Sequence, residues 1–129
     1  MCLLEEVISW DNTHARCRST SHRSVDNPLR AHERLGIACG IEYAAQTMAV
    51  HGALVAAATG GVAPRGMLAS VRGIRFEGDR LDTTESDLIT VVQRLAGDDR
   101  TAMYDFSVWA DEVVLLSGRA TIAFGVVPQ

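Results

Sequence analysis

The run Gly40 to Gly61, GIEYAAQTMAVHGALVAAATGG, constrains this chain more than any other stretch. Alanine-rich sequence is strong helix material, and the pattern predicts one α-helix from Gly40 to Thr59. Gly60-Gly61 supplies the left-handed backbone angles that end a helix, and Pro64 blocks continuation. The helix is apolar nearly all round, which places it inside a protein rather than on its surface. Glu42, Gln46 and His51, among many small residues, favour the centre of a water-soluble fold over a membrane span. A carboxylate inside such a segment costs free energy unless it has a partner or a task. Glu42 is therefore the first candidate for chemistry.

The flanking segments read as strands. Cys2 to Trp10 is a strand, Asp11-Asn12 a turn, and His14 to Thr20 a second strand. The stretch from Ser21 to Leu35 is polar, contains Pro28 and shows no sustained period, as a loop does. After the helix everything reads as sheet: Met67 to Phe76, Asp87 to Leu95, Thr101 to Ala110 and Val113 to Val127. Turn signals at Gly78-Asp79, Gly97-Asp98-Asp99 and Asp111-Glu112 separate these strands. Two strands, one long helix and a series of antiparallel strands make an α+β pattern, in which a sheet curled around the helix would bury it. The 129 residues suffice for one domain, 1–129, with a real core. No internal repeat or low-complexity tract interrupts it.

Charge and composition exclude several functions. The net charge of -4 and the lack of a basic cluster argue against nucleic acid. All twelve cations are arginine, so a lysine Schiff base is excluded. Cys2, Cys17 and Cys39 are odd in number and lack metal-ligand spacing, as expected of a reduced, cytoplasmic protein. MCLLEEVISW has no basic n-region and alternates like a strand, unlike a signal peptide. There is no glycine-rich phosphate loop, CxxC pair, zinc spacing or serine-nucleophile elbow. What remains is a site free of cofactor and metal, using one acid and one base.

Glu42 lies in the first helical turn, where the macrodipole favours a negative charge, so a purely stabilising role competes with catalysis. Gln46, four residues on, shares its face and is placed either to orient the carboxylate or to pair with backbone. Four histidines compete as the base. His51 is nine residues from Glu42, about 180° around the helix, and reads as a satisfied core or interface residue. His14 opens a strand after a turn and reads as solvated, and His32 lies in the polar loop without local support. His22 follows the second strand directly and opens the irregular segment SHRSVDNPLR. Sheet-braced loops are frequent sites of catalysis. Asp26 and Asn27 before Pro28 read as turn chemistry. Arg23 and Arg30 suit either an anionic phosphate or plain solvent exposure.

His22 at a strand end, followed by Glu42-Tyr43-Ala44-Ala45-Gln46 on a long helix, resembles the hotdog-fold β-hydroxyacyl-acyl-carrier-protein dehydratases. Arg65-Gly66-Met67-Leu68, the arginine-bearing strand to Phe76 and Ser117-Gly118-Arg119-Ala120 extend the likeness over nearly the whole chain. It is closest to the predicted 3-hydroxyacyl-carrier-protein dehydratases of aryl-polyene-type gene clusters. The resemblance implies a hotdog fold, with a long central helix wrapped by a curved antiparallel sheet. It also implies reversible loss of water from a (3R)-hydroxyacyl thioester to give a trans-2-enoyl thioester. His22 would take the C2 proton and Glu42 would protonate the leaving hydroxyl. Backbone N–H groups at Cys39 and Gly40 would hold the enolate oxygen, with Gln46 beside the substrate. A homodimer or larger homo-oligomer, or pairing with a second hotdog subunit, would set the histidine of one subunit against the acid of the other.

The chain departs from the main dehydratases in its loop, where Arg23-Ser24-Val25 replaces Phe-Pro-Gly after the histidine and Gly36 stands near the helix entrance. Relatives also carry a short segment with a Pro-His element before the first strand, which implies that Met1 marks a late start. Three other readings compete. One is a hotdog thioesterase, which needs an acid on the helix but no histidine at position 22. Another is a hydratase acting on coenzyme A thioesters, and the third is a catalytically weak acyl-binding or partner subunit.

Overall fold

The computed structural model describes residues 2–125. Strands β1 (Glu6–Trp10) and β2 (His14–Ser19) form a hairpin, and helix α1 (Gly40–Ala58) follows a polar loop. Strands β3 (Gly66–Phe76), β4 (Leu88–Gly97), β5 (Thr101–Ala110) and β6 (Val113–Phe124) complete the chain. The six strands make one sheet in the order β1-β2-β4-β5-β6-β3, every pairing antiparallel. Helix α1 lies across β2, β4 and β5. This is the hotdog arrangement expected from the sequence, one long helix on a curved antiparallel sheet. Among the described residues no helix is long and apolar enough to cross a membrane.

Strand alternation decides what faces the helix. In β5, Ala102, Tyr104, Phe106, Val108 and Ala110 are buried, while Met103, Asp105, Ser107 and Trp109 point to the outer face. The β5–β6 turn at Asp111-Glu112 has φ of 49° and 66°, the left-handed pair that a two-residue hairpin needs. Helix α1 closes on Gly60, φ 77°. The Gly61 N–H donates to Ala56 O at 2.9 Å and the Gly60 N–H to Ala57 O at 3.0 Å, the paired bonds of a Schellman cap.

Three expectations shift. Strand pairing begins at Glu6 rather than Cys2, yet Leu3 in the lead-in is only 2 % exposed. The last strand ends at Phe124, and Val126-Val127 lie outside the described residues. The larger correction concerns α1, which is not buried all round. Tyr43, Ala44, Thr47, Met48 and His51 pack onto the sheet, whereas Glu42, Ala49, Ala53 and Ala57 are exposed. A single six-stranded sheet curls around only one side of a helix. The apolar composition of the other side is therefore unexplained by one chain.

Candidate active site

Strand β2 hands the chain to a 3₁₀ turn at Ser21–Arg23, and this turn aims His22 inward, where it is fully buried. His22 Nε2 lies 3.0 Å from Thr84 O and 2.9 Å from Ser86 O. Carbonyls only accept, so Nε2 carries the proton and Nδ1 the lone pair. Nδ1 is buried without a hydrogen-bond partner. Burial pushes the ring below its ordinary pKa, helped by the nearby Arg23 cation, while the two carbonyls oppose the shift. The imidazole is thus held neutral with a bare basic nitrogen. Arg23 clamps the covering segment by bonding to Glu85 O and, at 2.9 Å, to Asp87. Arg18 grips the same Asp87 at 3.0 Å.

Glu42 stands elsewhere. It is exposed and lines a cavity of about 470 Å³ between α1 and β3, with Gln46, Ala49, Gly52, Arg65, Met67 and Leu68 among its walls. The small residues of the outward helix face thus form one wall of an apolar trough. No hydrogen bond or ion pair joins Glu42 to His22 among the described residues. Their sequence neighbours do meet: Tyr43, beside Glu42, lies 2.7 Å from the Oγ of Ser21, beside His22. Ser21 donates its only hydroxyl proton to Leu3 O at 2.7 Å, so the Tyr43 hydroxyl is the donor to Ser21. Asn27 Nδ2 then donates to the Tyr43 oxygen at 3.0 Å and to Ser21 O at 2.9 Å.

The remaining sequence candidates fall as follows. Gln46 accepts the Leu3 N–H at 2.7 Å, tying the N-terminal segment to the helix as well as lining the cavity. The Cys39 N–H donates to Gly36 O at 3.1 Å, and the Gly40 N–H is directed at Ile37 O and Ala38 O, so both are engaged in the 3₁₀ turn Ile37–Cys39 that leads into α1. Gly40 has a packing reason as well: a Cβ there would stand 2.5 Å from the Leu116 side chain. His51 is a satisfied core residue as expected, with Nδ1 2.8 Å from the Tyr104 hydroxyl and Nε2 2.9 Å from Asp11 O. His14 pairs with Asp11 at 2.9 Å, and His32 sits exposed with φ 52° in a tight turn. No cluster of metal-ligating side chains occurs among the described residues.

The sequence reading missed Ser21 and Tyr43 altogether and gave Asn27 half its role. Asn27 Oδ1 does accept the Leu29 N–H at 2.9 Å, the expected turn bond, but its amide nitrogen serves Tyr43. Only the oddity of a tyrosine on an otherwise hydroxyl-poor apolar helix hinted at that network.

Comparison with known proteins decides the family. The sequence model of the ApeP-like family, described as ApeP dehydratase, matches residues 1–124. The chain belongs to this family. Its fold is similar to the ApeI:P dehydratase heterocomplex of Xenorhabdus doucetiae, with a TM-score of 0.87 and 23% identity, covering 97% of this chain and 84% of that one. It is also similar to the PaaI protein of the Escherichia coli phenylacetic acid degradation operon, with a TM-score of 0.67 and 14% identity over 94% of this chain and 79% of that one. A thioesterase of Pseudomonas aeruginosa gives a TM-score of 0.64 at 13% identity, over 91% of this chain and 78% of that one. No curated protein matches the sequence. The dehydratase family and the hotdog relatives agree with the fold read from the sequence.

Proposed function

We propose that this protein dehydrates (3R)-hydroxyacyl thioesters, carried on acyl carrier protein or coenzyme A in the cytoplasm, with His22 as base and Glu42 as acid. The observation that carries the reading is the tautomer of His22. Its Nε2–H is tied to two carbonyls, which leaves Nδ1 unprotonated and without a partner. A neutral imidazole with a bare nitrogen suits abstraction of the C2 proton. As C2 loses that proton, the electron pair forms the C2–C3 double bond and the C3 hydroxyl leaves, taking a proton from Glu42 as water. A carboxyl that donates needs a setting drier than the exposed one Glu42 has in a single chain. A second hotdog subunit lying against the α1–β3 trough supplies that cover and brings its own histidine to Glu42. The acyl chain runs along Ala45, Ala49 and Gly52. The thioester oxygen is received at the helix start, where Cys39 and Gly40 exchange their turn bonds for it, and Gln46 borders the substrate.

A second reading is favoured by one observation, that His22 is 0 % exposed and makes no bond to Glu42. A chain whose base stays closed acts as the acyl-binding or acid-donating partner of another hotdog subunit. The thioesterase reading needs Glu42 alone.

One assay separates these. A short (3R)-hydroxyacyl group on acyl carrier protein is incubated with the chain, and the intact mass is followed alongside His22→Ala and Glu42→Gln. Loss of one water that disappears in both variants supports the dehydratase. Release of free acid that survives His22→Ala identifies a thioesterase. Absence of turnover from the folded wild type overturns the self-sufficient dehydratase and leaves the partner subunit.

A further inference from the structure

Strand β3 is an edge of the sheet, eleven residues long, and none of the described residues pairs with its outer side. Met67, Leu68 and Phe76 on it are 56 %, 39 % and 46 % exposed. A long edge with apolar side chains is a template for another strand. Its charges say which strand it accepts. Opposite residues on antiparallel strands share a face. Arg72 therefore shares the outer face with Arg119, its partner on β6, and Arg75 with Ser117. Arg119 is neutralised by Asp105 at 2.8 Å, but among the described residues no ion pair reaches Arg72 or Arg75. In a chain of net charge -4, two unpaired cations thus stand on one uncovered edge.

Pairing β3 with a second copy of itself keeps the outer set Met67, Ser70, Arg72 and Arg75 on one face along the full strand when Val71 lies opposite Val71. Ser70 then faces Arg72 of the second copy, and the two Arg72 side chains become diagonal neighbours. The alternative register that keeps the faces aligned sets Arg72 against Arg75 directly. The second register sets like charges directly opposite, which disfavours strand pairing, and the first keeps them at diagonal positions, a weaker form of the same conflict. An acid on the opposing strand removes the conflict and adds an ion pair.

We propose that Arg72 and Arg75 bias the β3 edge away from a second copy of this chain and towards a different hotdog subunit, whose edge strand carries carboxylates on its outer face. This rests on the reading that the working site is completed by a second hotdog subunit, and it adds which residues of this chain select that subunit.

The test uses the chain as its own acidic partner. Wild type and the Arg72→Glu/Arg75→Glu variant are mixed in equal amounts, and their pairing is counted by native mass spectrometry. Random pairing puts half of the dimers in the mixed form. At low salt the mixed form should outnumber the two self-pairs together several-fold, and its share should fall back towards one half near 1 M salt, where screening acts within about 3 Å. Arg16→Glu, a like reversal on β2 far from the edge, should pair at random. A random, salt-independent distribution for the β3 variant, a tight wild-type homodimer that outcompetes the mixed form, or an equal effect from Arg16→Glu overturns the proposal. Random pairing with intact water loss sinks the charge code and leaves the dehydratase reading standing. Biased pairing without turnover in any mixture does the opposite.

Discussion

Two histidines are buried in this molecule, and they are buried in different ways. His51 sits on the sheet-facing side of α1 with both ring nitrogens engaged, by the Tyr104 hydroxyl and by Asp11 O. His22 sits under the Thr84–Ser86 segment with one nitrogen doubly engaged and the other left bare. Buried polar atoms in folded proteins nearly always find partners, so an orphan is worth an explanation. His51 is a structural pin that joins the β1–β2 turn, the helix and β5. His22 keeps Nδ1 buried without a hydrogen-bond partner. Burial is common to both rings; what separates them is the state of the second nitrogen.

The contrast makes its largest prediction on stability. His51→Ala breaks two hydrogen bonds, strands the Tyr104 hydroxyl and opens a cavity, and should cost about 2–4 kcal/mol in urea unfolding. His22→Ala removes an orphaned nitrogen along with its bonds and should cost less, about 1–2 kcal/mol. The activity ranking should run the other way. His22→Ala lowers turnover of the assembled enzyme by about 10²–10⁴-fold, while folded His51→Ala keeps it. Equal stability losses with equal turnover losses would erase the distinction.

A smaller effect tests the link between the two halves of the site. Tyr43→Phe removes the donor to Ser21 and the acceptor for Asn27 Nδ2, so it should destabilise by about 1–2 kcal/mol. Because Ser21 neighbours His22, the variant should lower kcat more than it raises KM, and the pH profile of kcat should move with it. A stability loss with an unchanged profile would make Tyr43 a core residue only.

How much of this was legible beforehand follows physical lines. The helix Gly40–Ala58 was visible because composition, a glycine stop and a following proline all agree, and β5 matched residue for residue because its alternation is clean. His51 was readable as core from helical geometry alone. The exposed face of α1 was not readable, because a helix apolar all round looks alike whether one sheet or a second subunit covers it. The covering of His22 was hidden as well: Thr84 and Ser86 act through main-chain carbonyls, which any sequence provides. Arg72 and Arg75 were visible only as a family-like arginine strand. Their meaning depends on β3 being an edge, which follows from the order of strands in the sheet rather than from any residue in it.

The smallest predicted effect concerns acid. Burial holds both His22 and His51 below the ordinary value of 6.5, so the folded state prefers the neutral rings. The unfolded chain takes up protons at about that value, which means that between it and the folded pKa the unfolded state binds more. Stability is therefore fully present above pH 6.5 and is lost as pH falls through that point. The carboxylates act later: Asp11 and Asp82 are held well below their ordinary 3.8, Asp11 chiefly by the Thr13 N–H and Asp82 by Arg80, so their contribution is lost only in stronger acid. Urea midpoints measured from pH 7.5 to 5 should fall in the wild type and fall less in either single histidine variant, each having lost one of the two groups. An equal fall in His51→Ala and wild type would mean that His51 takes up its proton without unfolding, by swinging out of its place between Asp11 and Tyr104. Protonating His22 places a new N–H on Nδ1 where no acceptor lies, whereas protonating His51 forces the Tyr104 hydroxyl to give up its acceptor. Each variant should therefore lose part of the acid dependence, and a slope unchanged from wild type in both would mean that neither ring is held neutral by the fold.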